Sequence, residues 1–324
     1  ALEWEREFLM EKQADVNMTF ESFVALYERD IKPKLKLNTW LTKESIIKKK
    51  ILPYFAKRKL SEITAKDIMR WQNEIREMRD CHGKPLSKTY LKTVHNQLSA
   101  IFNHAVRHYD LRSNPTAKAG SMGDKDGGNI SFWTKEEYQR FANEMMDKPV
   151  SYYAFEMLYW CGIREGELLA LTPADFDFKA GTVKISKSYQ RLHGEDVITT
   201  PKTKKSNRTI KMPPFLCEEM QDYLKMLYGL KKKDRIFTIS KSYLHHEMDR
   251  GAKAAGVKRI RIHDLRHSHV SLLIDMGFTP VAIADRLGHK SIEVTLRYAH
   301  LFPSKQTEMI ERLEKERTVE ANVN

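Results

Sequence analysis

Cysteine is scarce in this chain of 324 residues: Cys81, Cys161 and Cys217 are too few and too scattered for a disulfide framework or a cysteine zinc site. The natural setting is therefore reducing and cytoplasmic. No apolar run approaches the about 20 residues that a membrane-spanning helix requires, so no membrane partner is expected. The N-terminus, Ala1-Leu2-Glu3-Trp4-Glu5-Arg6, mixes acid and base without a secretion-signal pattern. An initiator Met is also missing, so the natural chain is expected to extend further at this end. Acidic residues are in deficit, with 43 Asp and Glu against 56 Lys and Arg, which leaves a net charge of +13. Such an excess suits a polyanionic partner. Clustered carboxylates, which a metal-dependent nuclease needs, are lacking as well.

What is present is the composition of an ordinary globular protein, 41% hydrophobic and 31% charged, long enough for two cores. Residues 1–16 read as a helical coupler. From Met18, the spacing of Phe20, Phe23, Leu26, Tyr27 and Ile31 predicts a helix that ends near Pro33. A second runs from about Thr39 to Leu52, stopped by Pro53. Thr64 with Asp67 forms a capping box for a third, carrying Ile68, Trp71 and Ile75. Ser87 caps a fourth, with Tyr90, Val94, Leu98, Ile101, Phe102 and Ala105 facing inward. Residues 17–115 thus form an all-α domain, and the Gly-rich stretch 116–130 reads as a linker. Residues 131–303 form a mixed domain, opened by a Thr134–Glu137 capping box. It holds an apolar helix over Tyr152–Trp160 and alternating segments at 182–186, 197–200 and 208–212, expected as one three-stranded antiparallel sheet. Residues 304–324 form a charged helix with a narrow stripe of Met309, Ile310 and Leu313, which needs a partner surface.

Four pieces carry chemistry. Arg164 follows a glycine break, and Glu167, one helical turn on, can fix the guanidinium while its fork stays open for phosphate. The Lys-rich turn Lys202-Thr203-Lys204-Lys205-Ser206-Asn207 could supply a proton to a leaving oxygen; Lys202 is the choice for that acid, with Lys204, Lys205 and Arg208 touching backbone phosphates. His263-x-x-Arg266 puts an imidazole and a guanidinium on one helical face, near an N-terminal turn whose unpaired N–H groups favour an anion. Zinc at His263, His267 and His269 is set aside, because the last two lie on different faces and no HExxH or CxxC pattern supports them. Finally, in Leu287-Gly288-His289 and Tyr298, Ser291 reads as a helix cap that places Tyr298 about two turns along a helix. A cationic pocket of guanidinium forks and imidazoles suits a phosphodiester, with the phenol as nucleophile.

The series Arg164-x-x-Glu167, Lys202, His263-x-x-Arg266, Leu287-Gly288-His289 and Tyr298 resembles the active-site signature of the tyrosine recombinases, the phage-integrase family. The resemblance spans essentially the whole chain. The long β-hairpin and C-terminal helix are most similar to integrases of conjugative transposons, which usually add an N-terminal arm-binding domain. One departure is Cys161, where relatives often carry Thr, beside the glycine turn and not at a catalytic position. The resemblance implies a mainly α fold with a small antiparallel sheet, its core-binding and catalytic domains closing as a C-shaped clamp on double-stranded DNA. It also implies site-specific recombination without cofactor or metal. Arg164 and Arg266 would clamp the scissile phosphate, and His263 would take the Tyr298 proton. His289 would bind a phosphate oxygen, Lys202 would protonate the 5′ oxygen, and Glu167 would support the site. Tyr298 would form a 3′-phosphotyrosyl link. Expected partners are element ends and target DNA, further copies in a synaptic tetramer joined through the C-terminal helix, and an excisionase or host DNA-bending protein at the nucleoid. A type IB topoisomerase shares this chemistry, and a DNA-binding architectural protein would share only the charge.

Overall fold

The computed structural model describes residues 17–124, 130–200, 204–288, 291–296 and 298. The chain falls into two units, Ala1–Gly128 and Asn129–Asn324. In the first, α1 (Phe20–Ile31) begins at Thr19, whose hydroxyl accepts from the Ser22 amide. Its apolar face buries Phe20, Phe23, Val24, Leu26 and Tyr27. Then follow α2 (Leu37–Ile46), a π-helical turn (Ile47–Ile51) and α3 (Leu52–Phe55). Pro53 does not stop the helix there. The wide turn lets the chain pass a residue that has no N–H and whose ring crowds the carbonyl four residues back. The Trp71 indole donates to the Lys50 carbonyl in that turn at 2.8 Å.

Helix α4 (Ala65–Glu77) carries the Thr64–Asp67 capping box, and Asp67 also pairs with Arg58 at 2.8 Å. Helix α5 (Lys88–His108) starts on the Ser87 hydroxyl. Phe20 meets Phe55 and Phe102 with centroids 5.7 Å apart, at the centre of a core completed by Trp71, Ile101 and Leu98. Each such side chain contributes about 1.5–3 kcal/mol by leaving water. The expected linker begins later than its composition implies. Asn114 caps a short helix, α6 (Pro115–Ala119), which packs on α4 and α5. Thr116 and Met122 are buried, and Gln72 ties down the Gly120 carbonyl at 2.8 Å. Small residues here serve close packing, which composition alone does not distinguish from slack chain.

The second unit opens with α7 (Lys135–Asn143) on the Thr134–Glu137 box and continues through α8 (Pro149–Cys161), buried from Ala154 to Tyr159, to the one-turn α9 (Glu165–Leu168). Strands β1 (Phe176–Asp177), β2 (Thr182–Ile185), β3 (Ser188–Leu192), β4 (Glu195–Thr199) and β5 (Arg208–Lys211) follow. They do not form the sheet expected. The three-stranded sheet is β1-β2-β5, with Val183 opposite Ile210, whereas β3 and β4 pair with each other as a separate ribbon. The first sheet buries Val183, Ile185 and Ile210 in the core, whereas the ribbon adds Tyr189 from β3 and leaves Ile198 of β4 exposed. The ribbon turns at His193 and Gly194, both with positive φ (50° and 86°), as a two-residue hairpin turn of the primed kind requires.

Helices α10 (Pro214–Met226), α11 (Lys241–Ala254), α12 (Asp264–Asp275), α13 (Pro280–Leu287) and the short α14 (Glu293–Leu296) complete the described fold. Leu265 on α12 joins the main core with Phe141, Phe155, Leu168, Val183, Phe237 and Leu244. The opposite side of α12 builds a smaller cluster from Val270, Ile274, Ile283, Leu287 and Tyr298. Thus α12 stands between the two clusters and carries the central motif. The helix expected over residues 304–324 lies outside the described residues, and no described helix is long and apolar enough to cross a membrane.

Candidate active site

Arg266 is the pivot. It lies in the first turn of α12 and is 3% exposed. Its Nη1 donates to the Gly162 carbonyl and its Nη2 to the Leu287 carbonyl, each at 2.7 Å. Both acceptors end a helix at a left-handed glycine. Gly162 (φ 60°) follows α8 and Gly288 (φ 65°) follows α13. A Cβ on Gly162 would come within 2.5 Å of the His269 ring, so the turn needs the glycine for space as well as conformation. Carbonyls orient the guanidinium but do not neutralise it. Burial, then Arg164 and Arg208, push Arg266 down to about 9, still cationic at neutral pH. A buried cation beside further cations is a seat for an anion.

Arg164 caps α9, and its amide and Nη1 both donate to Glu167, at 2.9 and 2.8 Å. Its side chain stays 40% exposed, so part of the fork faces solvent. Glu167 is shared. Arg208 reaches it through Nη1 (3.2 Å) and Nη2 (2.9 Å) and is itself only 6% exposed. Burial alone would raise the Glu167 carboxyl, but Arg208 and Arg164 outweigh it and hold it at about 2. Arg208 is therefore not the surface phosphate contact that its place in a basic run implies. It holds Glu167 instead, and is bonded also to the Arg286 carbonyl at 3.2 Å. The alternation of β5 carries the missed signal: Arg208 shares a face with buried Ile210, and an inward arginine calls for a buried anion.

The N-terminus of α12 does not contribute the free amides expected of it. Asp264, Leu265 and Arg266 N–H groups bond back to Arg261, Ile262 and His263 carbonyls at 2.8–3.2 Å. The anion seat is thus made of side chains. His263 stands at the solvent edge just before the helix. The protein packed around it, then Arg266 and Arg164, lower its pKa. The Tyr298 hydroxyl meets Nδ1 of His267, not His263. Tyr298 is 3% exposed and lies in a turn just beyond α14, not two turns along a helix; Ser291 stands one residue before the cap position, taken by Ile292, and its hydroxyl accepts from the Glu293 amide at 3.2 Å. The four-residue spacing of His267 from His263 puts both rings on one face, with centroids 5.0 Å apart.

Lys205 is exposed, and its carbonyl sits so near Gly288 that an added Cβ would fall 2.6 Å from it. The described part of the lysine turn, at Lys205, therefore abuts the Leu287-Gly288 corner. Lys202, His289 and the Lys204 side chain lie outside the described residues. Among the described residues no group of three or more His, Cys, Asp or Glu side chains is placed to hold a metal ion.

Residues 131–305 match the model of the phage integrase family, and residues 19–76 that of the phage integrase N-terminal SAM-like domain. The chain belongs to the phage integrase family. As a tyrosine recombinase, it is a site-specific DNA strand transferase that acts in the integration and excision of mobile elements. The ICEBs1 integrase of Bacillus subtilis is 29% identical over 95% of this recombinase and 86% of its own length. A XerC-like tyrosine recombinase of Caldanaerobacter subterraneus is 26% identical over 79% and 72%. Among solved structures, the Tn1549 transposon integrase in complex with a circular intermediate DNA superposes with a TM-score of 0.72 at 22% identity, over 93% of this chain and 99% of that one. A lambda integrase dimer bound to a core site gives 0.64 at 21%, over 87% and 95%. These likenesses show that the fold is shared, mainly helical with small antiparallel sheets.

Proposed function

We propose that this recombinase cuts and rejoins double-stranded DNA at Tyr298 through a 3′-phosphotyrosyl link, in the manner of a conjugative-transposon integrase. The observation that carries the site assignment is Arg266, a buried cation held by two neutral carbonyls beside the half-open fork of Arg164. A scissile phosphate is the charge this arrangement lacks, and the two forks would bind its non-bridging oxygens more strongly as the pentavalent transition state forms. His289 adds a hydrogen bond to that phosphate. Lys202 protonates the departing 5′ oxygen, and the phenol proton goes to an imidazole of the His263–His267 pair. Glu167 keeps Arg164 aligned, and Arg208 keeps Glu167 in place. Lys204 and Lys205 approach the DNA backbone. The phosphotyrosyl bond replaces one phosphodiester with another, so a free 5′ hydroxyl reverses it without ATP or metal.

In this reading the recombinase acts on double-stranded DNA at the nucleoid of a bacterial cytoplasm, and residues 304–324 dock on a neighbouring copy in a synaptic tetramer. The lambda integrase tetramer bound to a Holliday junction, a chain of the same fold, supports that assembly. An excisionase or a host DNA-bending protein sets the direction of exchange. The test is a nicked suicide duplex drawn from DNA flanking the chain's own gene. An SDS-resistant adduct that disappears in Tyr298→Phe is the expected result. Tight binding without an adduct, under conditions that permit assembly, would leave only a DNA-binding protein.

A further inference from the structure

The phenol must lose a proton as it attacks, and two histidines of one helical face compete for it. We propose that the acceptor is His267: its Nδ1 takes the Tyr298 proton while the Tyr298 oxygen bonds to phosphorus, with Asp264 behind the ring. This rests on Tyr298 being the nucleophile. In the step the P–O5′ bond breaks as the Oη–P bond forms. The phenol proton moves to Nδ1, the lysine ammonium proton moves to the 5′ oxygen, and no co-reactant is needed.

Three observations carry the assignment. Nδ1 of His267 is in direct hydrogen-bond contact with the Tyr298 hydroxyl, whereas His263 lies at right angles to the His267 ring, with centroids 5.0 Å apart. The opposite nitrogen, Nε2, faces Asp264 Oδ1 at 3.7 Å. Asp264 is 2% exposed and braced by Arg261 at 2.8 Å, so a carboxylate is fixed where an imidazolium would need one. A neutral ring that accepts at Nδ1 carries its hydrogen on Nε2, the nitrogen nearer that carboxylate.

The surroundings also explain why the free protein holds this base in reserve. Burial, then His263, Arg261 and Arg266, push His267 down to about 4, against the pull of Asp264. At neutral pH the ring is an uncharged, weak base. A phosphate seated on Arg164 and Arg266 would cancel part of the positive field that depresses it. The ring would then become more basic as the substrate arrives, and cleavage would be tied to a correctly seated phosphodiester.

Two measurements test this. In the free chain, nitrogen NMR of labelled histidines should show His267 neutral with Nδ1 as acceptor, and Tyr298→Phe should shift that nitrogen. An unmoved His267 resonance overturns the proposal whatever DNA assays give. On the nicked suicide duplex, His267→Ala and His267→Gln should each slow adduct formation on the order of 10²-fold or more with DNA affinity unchanged. Added imidazole should restore part of the rate to His267→Ala. The rise of the wild-type rate with pH through the His267 ionisation should vanish in both variants and persist in His263→Ala. Wild-type rates in either His267 variant, or a loss that imidazole does not restore and that comes with a lowered melting temperature, refute a proton-accepting role. If the wild-type chain forms no Tyr298-dependent adduct, the nucleophile assignment fails instead, and the two failures are distinguishable.

Discussion

At the scale of single residues, the site is a problem of buried charge. Glu167 is 6% exposed and balanced by Arg208 and Arg164. Removing one member of such a buried pair costs about 3–5 kcal/mol, whereas replacing both with apolar groups is often close to neutral. Arg208→Ala should therefore lower the melting temperature sharply, while Arg208→Met combined with Glu167→Leu recovers much of the stability without recovering adduct formation, because Arg164 has lost its anchor. Calorimetry alongside the cleavage assay separates the two effects. The pH dependence has a definite sign. Glu167 is held at about 2, below its ordinary 4.5, so its contribution is full above about 4.5 and is lost as pH falls toward 2. In Glu167→Gln the acid limb of a stability–pH curve should be shallower across that window. The contact between Arg164 and Glu167 is legible from the sequence because it spans one helical turn, whereas Arg266 and Tyr298 are singled out by the resemblance of the whole series. The task of Arg208 is not legible, since its partner is 41 residues away and only the paired strands reveal which way it points.

At the scale of elements, the helices follow their caps: Thr64, Ser87 and Thr134 all cap as their spacing predicts. Pro53 misleads because a proline ends a helix only when the chain cannot widen to pass it, and the π-helical turn passes it here. The sheet misleads for a related reason. Alternation identifies strands but not partners, and the weakly apolar β4 pairs locally with β3 rather than joining the core. Two glycine corners then fasten elements to the site. Gly162→Ala would impose left-handed strain of about 1–2 kcal/mol and drive a methyl into the His269 ring. The carbonyl that orients Arg266 should shift with it. The expected outcome is a loss of adduct formation larger than the loss of DNA affinity, read from the same duplex in cleavage and gel-shift assays.

At the scale of the whole molecule, a net charge of +13 makes phosphate contact the main source of affinity, so the logarithm of the DNA association constant should fall steeply and linearly with the logarithm of salt concentration. A flat titration would count against binding through the phosphate backbone. Deleting residues 304–324 should leave single-site binding intact and impair assembly and strand exchange, as sedimentation and a two-site recombination assay would show. The architecture also separates what must stay from what can vary. The Lys205 carbonyl is pressed against Gly288, but at the turn of the β3–β4 ribbon a Cβ on Gly194 would meet no described atom within 4 Å. A short peptide tag or a fluorophore inserted between His193 and Gly194 should thus be carried silently, giving a handle on this enzyme at work that leaves its chemistry untouched.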